Sequence, residues 1–386
     1  MTLDTRRVGI ALAGFCSFLN LYAPQALLPA LAHDFRVTAA EISAVMTAGT
    51  ISIALTAPFT GVVTDMLGRK RVIVVAMVLV ALPTLMVALS GSVQEIVFWR
   101  FVQGLALPPV FATALAYVGD EFPPAEVPGV AGIYMMGSSL GGFSGRLIPG
   151  ILTDLVGWRW AIGSLALLSL LCAVGFGLAL DKERHFVRSE GLKASLRQMM
   201  RHLVDPRLIP LYAVGFGVLF NFIAVFTYVN FHLAGPPYGF SPSMLGLIFL
   251  TYLVGSATVP SIGRAVARFG RRRFVLGLLI LWGIGALLLL TPAVWSILIG
   301  LTLCATCGMM CQGVSTGAVT ATAKEGRSSA VGLYMTVFYV GGSAGASLPG
   351  LAWAYGGWPA TVAMVLAVIT AMATVVALFW RDPKAA

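Results

Sequence analysis

Charged residues are scarce in this chain of 386 residues: Asp, Glu, Lys and Arg together make up 10% of it. A typical soluble domain carries about 25% charged residues. Hydrophobic residues make up 58% of the chain, and a water-soluble fold of that composition would expose large apolar patches. The composition therefore excludes a soluble domain and predicts an integral membrane protein.

Catalytic and nucleotide-binding motifs are also missing. The sequence contains no HExxH, no histidine box, no GxxxxGK[ST], and no Ser, His and Asp set at one depth. These absences argue against a membrane-embedded enzyme and against ATP-driven transport. A sensor is a further alternative, but no signalling domain accompanies the apolar stretches.

The five cysteines all lie in apolar stretches, which gives no disulfide framework. Cys304, Cys307 and Cys311 share one helix face but lack the His or acidic neighbours that a transport metal site would use. We expect no metal and no cofactor.

Twelve apolar stretches are long enough to cross a bilayer, which takes about 20 residues. They are centred near Asn20, Ile51, Ala81, Leu107, Ser139, Ser169, Asn221, Tyr252, Leu281, Gly308, Tyr339 and Ile369.

The basic residues are confined to alternate loops. Of the 25 Lys and Arg, 21 fall at the termini or in the second, sixth, eighth and tenth loops. This bias predicts that both termini are cytoplasmic in a bacterial-type inner membrane, and it is not a nucleic-acid signal. We interpret the first span as a retained helix rather than a signal peptide.

A repeat divides the chain. Gly132, Tyr134, Met135, Gly141, Gly142, Pro149, Gly150, Gly157 and Trp158 each recur 200 residues later. The repeat predicts an all-α membrane fold of twelve helices in two pseudo-symmetric six-helix halves. We place the halves at 1–180 and 207–386, with a cytoplasmic linker at 181–206 that carries an amphipathic helix on the inner leaflet or serves only as a tether. Because each chain holds a full pair of halves, we expect a functional monomer.

The turn between spans two and three has the sharpest local motif. It contains Gly61, Asp65, Gly68, Arg69, Lys70 and Arg71. Its basic residues can reach lipid phosphates or the acidic pair Asp120-Glu121, which predicts a cytoplasmic gate. The alternative is an ordinary positive-inside turn.

This turn resembles the signature loop of the major facilitator superfamily. Arg100-Phe-Val-Gln103-Gly104 resembles a second motif of that family, and the glycine-rich run Gly137 to Gly150 resembles its exporter motif. Leu21-Tyr22-Ala-Pro-Gln25 is similar to the YnfM-type branch of the drug:proton antiporters. The resemblance implies that the two halves alternate in access to a small-molecule substrate, with protons as the coupling ion.

The resemblance also implies that spans five and eleven cross at the interface between the halves and form a sliding or occluding helix seam. The predicted seam comprises Gly137, Gly141, Gly142, Gly145, Pro149, Gly341, Gly342 and Gly345. Static close packing through small residues is the alternative.

Arg100 and Arg146 lie inside predicted spans, where an arginine is costly and is a functional candidate. We predict a role in coupling or in anion recruitment. The alternative is that they snorkel to the surface or pair with Glu41, Glu95 or Asp154. None of the 15 carboxylates lies at a predicted midplane, which argues against simple exchange of organic cations for protons. Asp34, just beyond the first span, is the nearest candidate for a proton carrier. We favour the alternative that it is a solvated acid in a loop.

Polar and aromatic residues near the midplane predict a substrate cavity, with interhelical hydrogen bonding as the alternative. They are Asn20, Gln25, Gln103, Tyr134, Ser138, Asn221, Tyr228, Asn230, Tyr252, Tyr334 and Tyr339. Few charges and many tyrosines suit an amphipathic ligand. The sequence thus favours a proton-coupled exporter of small amphipathic molecules, with a carrier for organic anions or sugar-like solutes as the alternative.

Overall fold

The computed structural model describes residues 4–180, 192–323 and 326–380, without the side chains of residues 62, 63, 65, 66, 192–196 and 328. In this part of the chain every element is helical. The helices are α1 (Thr5–Leu21), α2 (Leu28–Phe35), α3 (Ala39–Thr56), α4 (Thr60–Leu67), α5 (Arg69–Leu89), α6 (Val93–Glu121), α7 (Val127–Val156), α8 (Trp158–Ala179), α9 (Leu192–Leu203), α10 (Ile209–Ala234), α11 (Pro242–Leu247), α12 (Leu250–Thr258), α13 (Ile262–Phe269), α14 (Arg271–Leu288), α15 (Val294–Thr322) and α16 (Arg327–Phe379).

The prediction of twelve spans is confirmed. Nine helical stretches within the described residues are long and apolar enough to cross a membrane. Two more are α7, which is rich in glycine, and α14, which starts with three arginines. The twelfth arises because α16 contains two spans, separated where Gly356 and Gly357 leave the helical conformation.

The first span is interrupted. After α1 ends at Leu21, a short 3-10 turn covers Gln25–Leu27 before α2 begins at Leu28. Pro24 and Pro29 cause the interruption, because proline lacks a backbone N–H and disfavours the α conformation in the residue before it. In contrast, α10, the first span of the second half, is continuous over Ile209–Ala234.

The described residues fall into two compact units, which exchange two segments between the sequence halves. One unit comprises Met1–Val37, Ala48–Leu192 and Leu233–Phe249, and the other comprises Thr38–Thr47, Lys193–His232 and Leu250–Ala386. Thus the N-terminal part of α3 belongs with helices of the second half, and α11 belongs with helices of the first.

Each unit is built around a glycine seam. In the first unit a Cβ at Gly137, Gly141 or Gly145 of α7 would overlap the backbone of Ala11, Phe15 or Leu19 of α1. In the second unit a Cβ at Gly341 or Gly345 of α16 would overlap the backbone of Phe216 or Phe220 of α10. The matching contacts explain the repeat, since a close helix approach in lipid needs small residues at four-residue spacing.

The glycines of the predicted seam pack closely within their own units, as the alternative of close packing requires. They contact the first helix of their own unit, and Gly342 lies against Leu219 of α10. Pro149 and Gly142 are buried on the same stretch of α7. The observed geometry is close packing within a six-helix bundle.

A candidate functional site at the break in the first span

At the end of α1, Arg100 of α6 binds two backbone carbonyls, one of which, that of Asn20, also accepts from the N–H of Ala23. Its guanidinium donates to the carbonyl of Asn20 at 2.9 Å and to that of Leu21 at 2.7 Å. A cation is favourable at a helix C-terminus because the dipole places partial negative charge there. Arg100 is 2% exposed, so it caps the C-terminus of α1 with a buried side chain.

Arg100 also belongs to a hydrogen-bonded polar cluster that joins four helices. It donates to Gln103 Oε1. Gln103 Nε2 donates to Thr84 Oγ1 of α5 at 2.5 Å, and Thr84 donates to Asn20 Oδ1 at 2.9 Å. Asn20 Nδ2 in turn donates to Ser169 Oγ of α8 at 2.7 Å. All five side chains are buried, and a connected network of this kind satisfies polar groups that would be costly in lipid.

Arg146 of α7 reaches the other side of the break. Its Nε donates to Gln25 Oε1 at 2.9 Å, and its Nη1 donates to the carbonyl of Gly142 at 2.6 Å. The guanidinium carbon lies 4.4 Å from the ring centroid of Tyr22 and 4.3 Å from that of Phe249. Arg146 is 0% exposed to solvent. Its buried charge is stabilised by the faces of two aromatic rings and by two oxygen acceptors.

Phe249 ends the segment Leu233–Phe249, which belongs to the second half of the sequence but lies in the first unit. This segment packs along one face of α7. A Cβ at Gly150 would lie 2.5 Å from the carbonyl oxygen of Pro242, and one at Gly246 would lie 2.9 Å from that of Arg146. Glycine is therefore required on both sides of this approach.

Asp154 fastens the start of α11. Its Oδ2 accepts a hydrogen bond from Ser241 Oγ and another from the backbone N–H of Ser243, both at 2.9 Å. A carboxylate at a helix N-terminus satisfies free N–H groups and interacts favourably with the dipole. Arg146, Gly150 and Asp154 follow one another at four-residue spacing, so one face of α7 holds the whole segment.

The second unit has the same approach without the charges. A Cβ at Gly350 would lie 3.0 Å from Cα of Ala40, at the start of α3. Tyr228 donates to the carbonyl of Ala346 at 2.9 Å. Ala346 and Ala354 stand 200 residues after Arg146 and Asp154, so the charged version exists in one copy of the repeat.

The partners that the sequence suggested for the two arginines are wrong. Neither arginine snorkels, since both are buried. Glu41 accepts from Thr38, Glu95 accepts from the N–H of Gly91, and Asp154 binds the start of α11. Asp34 is half-exposed and accepts from Trp158 Nε1 at 2.8 Å and from Arg159 at 3.4 Å.

The other predicted cavity residues lie within helix packing in their own units, with at most 9% exposure. In the first unit, Tyr134 belongs to a hydrophobic core and Ser138 donates to the carbonyl of Tyr134. In the second unit, Asn221 donates to Met372 Sδ at 3.4 Å and Tyr334 shares a 2.7 Å hydrogen bond with Ser315.

The remaining three predicted cavity residues also contact near neighbours in the second unit. Asn230 donates to the carbonyl of Phe226, Tyr252 packs edge-on to Phe222, and Tyr339 packs edge-on to Phe338. The structure thus brings Asn20 together with Gln103, and Gln25 together with Arg146.

At the basic turn, Arg69 forms an ion pair with Asp120 at 2.5 Å, one of the contacts that the sequence suggested. Lys70 donates to the carbonyl of Leu180. Gly68 has φ 86°, a left-handed conformation that favours glycine. Gly61 faces open space and Arg71 is exposed, and the side chain of Asp65 lies outside the described residues.

Sequence reasoning missed Thr84, Ser169 and Phe249. Serine and threonine are common in spans and bond to carbonyls of their own helix, as Thr84 does to Val80 and Ser169 to Leu165. The break itself was readable in Pro24 and Pro29.

The family model described as Major Facilitator Superfamily matches residues 10–236 and 233–386. The inner membrane transport protein YnfM of Escherichia coli K12 is 35% identical over 271 residues, covering 69% of this chain and 64% of that protein. The uncharacterized MFS-type transporter YybF of Bacillus subtilis 168 is 28% identical over 354 residues, covering 92% of this chain and 88% of that protein.

A shorter similarity reaches the chloramphenicol resistance protein CraA of Acinetobacter baumannii, with 27% identity over 168 residues, 44% of this chain and 41% of that protein. Among solved structures, a bacterial homologue of the human lysosomal transporter Spinster aligns with a TM-score of 0.79 at 15% identity, covering 98% of both chains. The nucleoside transporter NupG aligns with a TM-score of 0.77 at 14% identity, covering 99% of this chain and 100% of that one. At these identities the structures establish the fold alone.

Proposed function

This chain belongs to the major facilitator superfamily, and on that premise we propose that it exports small amphipathic compounds in exchange for protons by alternating access. It is a membrane transporter and not an enzyme. We place it in the inner membrane with both termini cytoplasmic, functioning as a monomer.

The observation that carries the proposal is the exchange of segments between the sequence halves. Residues 38–47 and 233–249 are held through close glycine contacts and a few polar groups on helices of the opposite half. A carrier whose halves, 1–180 and 207–386, move as bodies joined by the linker 181–206 must release these segments in each cycle. These contacts can form and break without disturbing the seams that hold each half together.

The substrate class follows from the buried charge. Among the described side chains, Arg100 and Arg146 are the buried charged residues, and no Asp or Glu is buried. A site that lacks a buried carboxylate has little to offer an organic cation, so neutral or weakly polar amphiphiles are the better ligands. The similarity to a chloramphenicol resistance protein supports this class.

We assign coupling to Arg146. Arginine keeps its proton in proteins, so Arg146 acts as a fixed charge whose stabilising contacts change during the cycle. When the segment that carries Phe249 leaves α7, the guanidinium loses one ring face and needs water, substrate or a newly ionised group in its place. Proton binding elsewhere would then be linked to the position of that segment.

The alternative function is a carrier for organic anions or sugar-like solutes. The specific observation in its favour is that both buried charged side chains are cationic. Substrate carboxylates or phosphates would replace Phe249 at Arg146 in that case.

The test uses sealed inverted vesicles with an acidified lumen and a lumenal pH dye. Organic cations, organic anions and neutral amphiphiles are added in turn. Alkalinisation of the lumen by neutral amphiphiles supports the proposal, and alkalinisation by anions supports the alternative substrate class. Solute uptake without a pH response would reject proton coupling.

Arg146→Lys and Arg146→Ala variants accompany the test. Both are checked for folding by size exclusion, and solute binding is measured separately. Loss of the pH response with retained binding supports the assignment of coupling to Arg146. An unchanged pH response in Arg146→Ala would refute the assignment of coupling to Arg146. It would not contradict the proposal of proton-coupled transport.

A further inference from the structure

The helix α9 presents two opposite faces, and one is fixed to α16. Gln198 Oε1 accepts from Ser329 Oγ at 3.1 Å. Met199 is 9% exposed and lies near Gly332, and the His202 ring lies beside Gly326. These residues hold α9 against the start of α16 within the same unit.

The opposite face mixes cations with exposed aliphatic side chains. Arg197, Met200 and Arg201 follow helical spacing on this face, and Val204 continues the spacing in the turn directly after α9. We call these four residues the outer stripe of α9. Met200 is 64% exposed and Val204 is 70% exposed. Alternating cationic and exposed aliphatic side chains on one helix face are typical of a helix at a membrane surface.

The chain keeps this stripe near a membrane surface. The residues 204–208 separate α9 from Ile209, where the span Ile209–Ala234 begins. They are folded, since the N–H of Asp205 bonds to His202 and that of Leu208 bonds to Asp205. Five residues span at most about 18 Å even when extended, so α9 lies within that distance of the start of α10.

We propose that the outer stripe of α9 binds anionic phospholipid, with Arg197 and Arg201 at the headgroups and Met200 and Val204 at the acyl boundary. Basic amphipathic helices bind in this way because the headgroup region accepts both kinds of side chain. Arg207, exposed beyond the end of α9, adds a third cation. This inference is independent of the substrate and of the coupling ion.

The full-length protein allows a direct test, because its five native cysteines are all buried. A Met200→Cys variant is labelled with an environment-sensitive fluorophore and placed in nanodiscs of phosphatidylcholine with or without phosphatidylglycerol. Lipids with a shallow nitroxide report contact by quenching. We expect a blue-shifted, strongly quenched label when phosphatidylglycerol is present and weaker quenching without it.

Adding Arg197→Gln and Arg201→Gln should raise the phosphatidylglycerol fraction needed for half-maximal quenching by roughly tenfold or more, since each arginine contributes about fivefold. Arg264→Gln with Arg268→Gln is the matched control. It removes two exposed arginines, also four residues apart, from α13, and should leave the quenching of the α9 label unchanged.

Three results would overturn the proposal. A water-like, unquenched label in all nanodiscs would assign the stripe to solvent. A shielded label that nitroxide lipids do not quench would assign it to a protein contact. Equal quenching with and without phosphatidylglycerol would reject anionic selectivity.

Discussion

Arg100 and Asn20 are joined twice: the guanidinium donates to the backbone carbonyl of Asn20 at 2.9 Å, and Gln103, which accepts from Arg100, donates to the Asn20 side chain at 3.3 Å. One residue of α1 is thus fixed by both backbone and side chain at the point where the first span breaks. These hydrogen bonds position the break, beyond which Tyr22 and Gln25 contact Arg146.

Replacing Arg100 by Gln should destabilise the protein by about 3 kcal/mol, because the buried carbonyl of Leu21 loses its donor, that of Asn20 loses one of its donors, and Gln103 loses a charged partner. Thermal unfolding in detergent measures the effect. The stability of Arg100→Lys should lie between those of the unchanged protein and Arg100→Gln, since an ammonium group cannot reproduce the fork geometry of the guanidinium. Arg159→Gln is the control, because its ion pair with Asp34 is half-exposed, and a comparable loss there would contradict the assignment.

Replacing Thr84 by Val should cost about 1–3 kcal/mol, because Gln103 loses an acceptor and Asn20 loses a donor in a buried site. Thr370→Val is matched in shape, and Thr370 is exposed and bonds to the carbonyl of Leu366 in its own helix. Unfolding temperatures of the two variants should differ clearly. Equal temperatures would mean that the cluster contributes little.

Replacing Gly141 by Ala should destabilise the first unit by about 1–3 kcal/mol, because the new Cβ overlaps the carbonyl of Phe15. Gly163→Ala in α8 is the control, since its Cβ would meet nothing closer than 4.0 Å and alanine favours helix. Unfolding in detergent should show opposite signs for the two variants. A stabilised Gly141→Ala would refute the seam.

Replacing Asp154 by Ala removes the acceptor at the start of α11, and the loss of such a cap costs about 0.5–2 kcal/mol. Hydrogen exchange of the amides in 241–249 should then accelerate about threefold to thirtyfold. Glu95→Ala removes a comparable acceptor, of the N–H of Gly91, and should leave exchange in 241–249 unchanged. Unaltered exchange in Asp154→Ala would show that the glycine contacts alone hold the segment.

The sequence by itself determined the class of fold. Apolar length fixed the twelve spans, since the bilayer core sets how many residues a helix needs. The repeat predicted that the glycine runs of α7 and α16 are equivalent, and a Cβ at Gly141 or at Gly341 would indeed overlap the backbone of Phe15 or of Phe216. Arg100 and Arg146 could be singled out because a charge in a span always requires partners.

Only the tertiary structure decided which groups are the partners of Arg100 and Arg146. Arg100 donates to the carbonyls of Asn20 and Leu21 at the point where α1 ends, and Arg146 is enclosed by Phe249 from a distant part of the chain. Likewise, Thr84 and Ser169 join Asn20 through contacts between helices. Local patterns specify which faces are apolar or small, but the meeting of particular side chains depends on how helices far apart in sequence pack together.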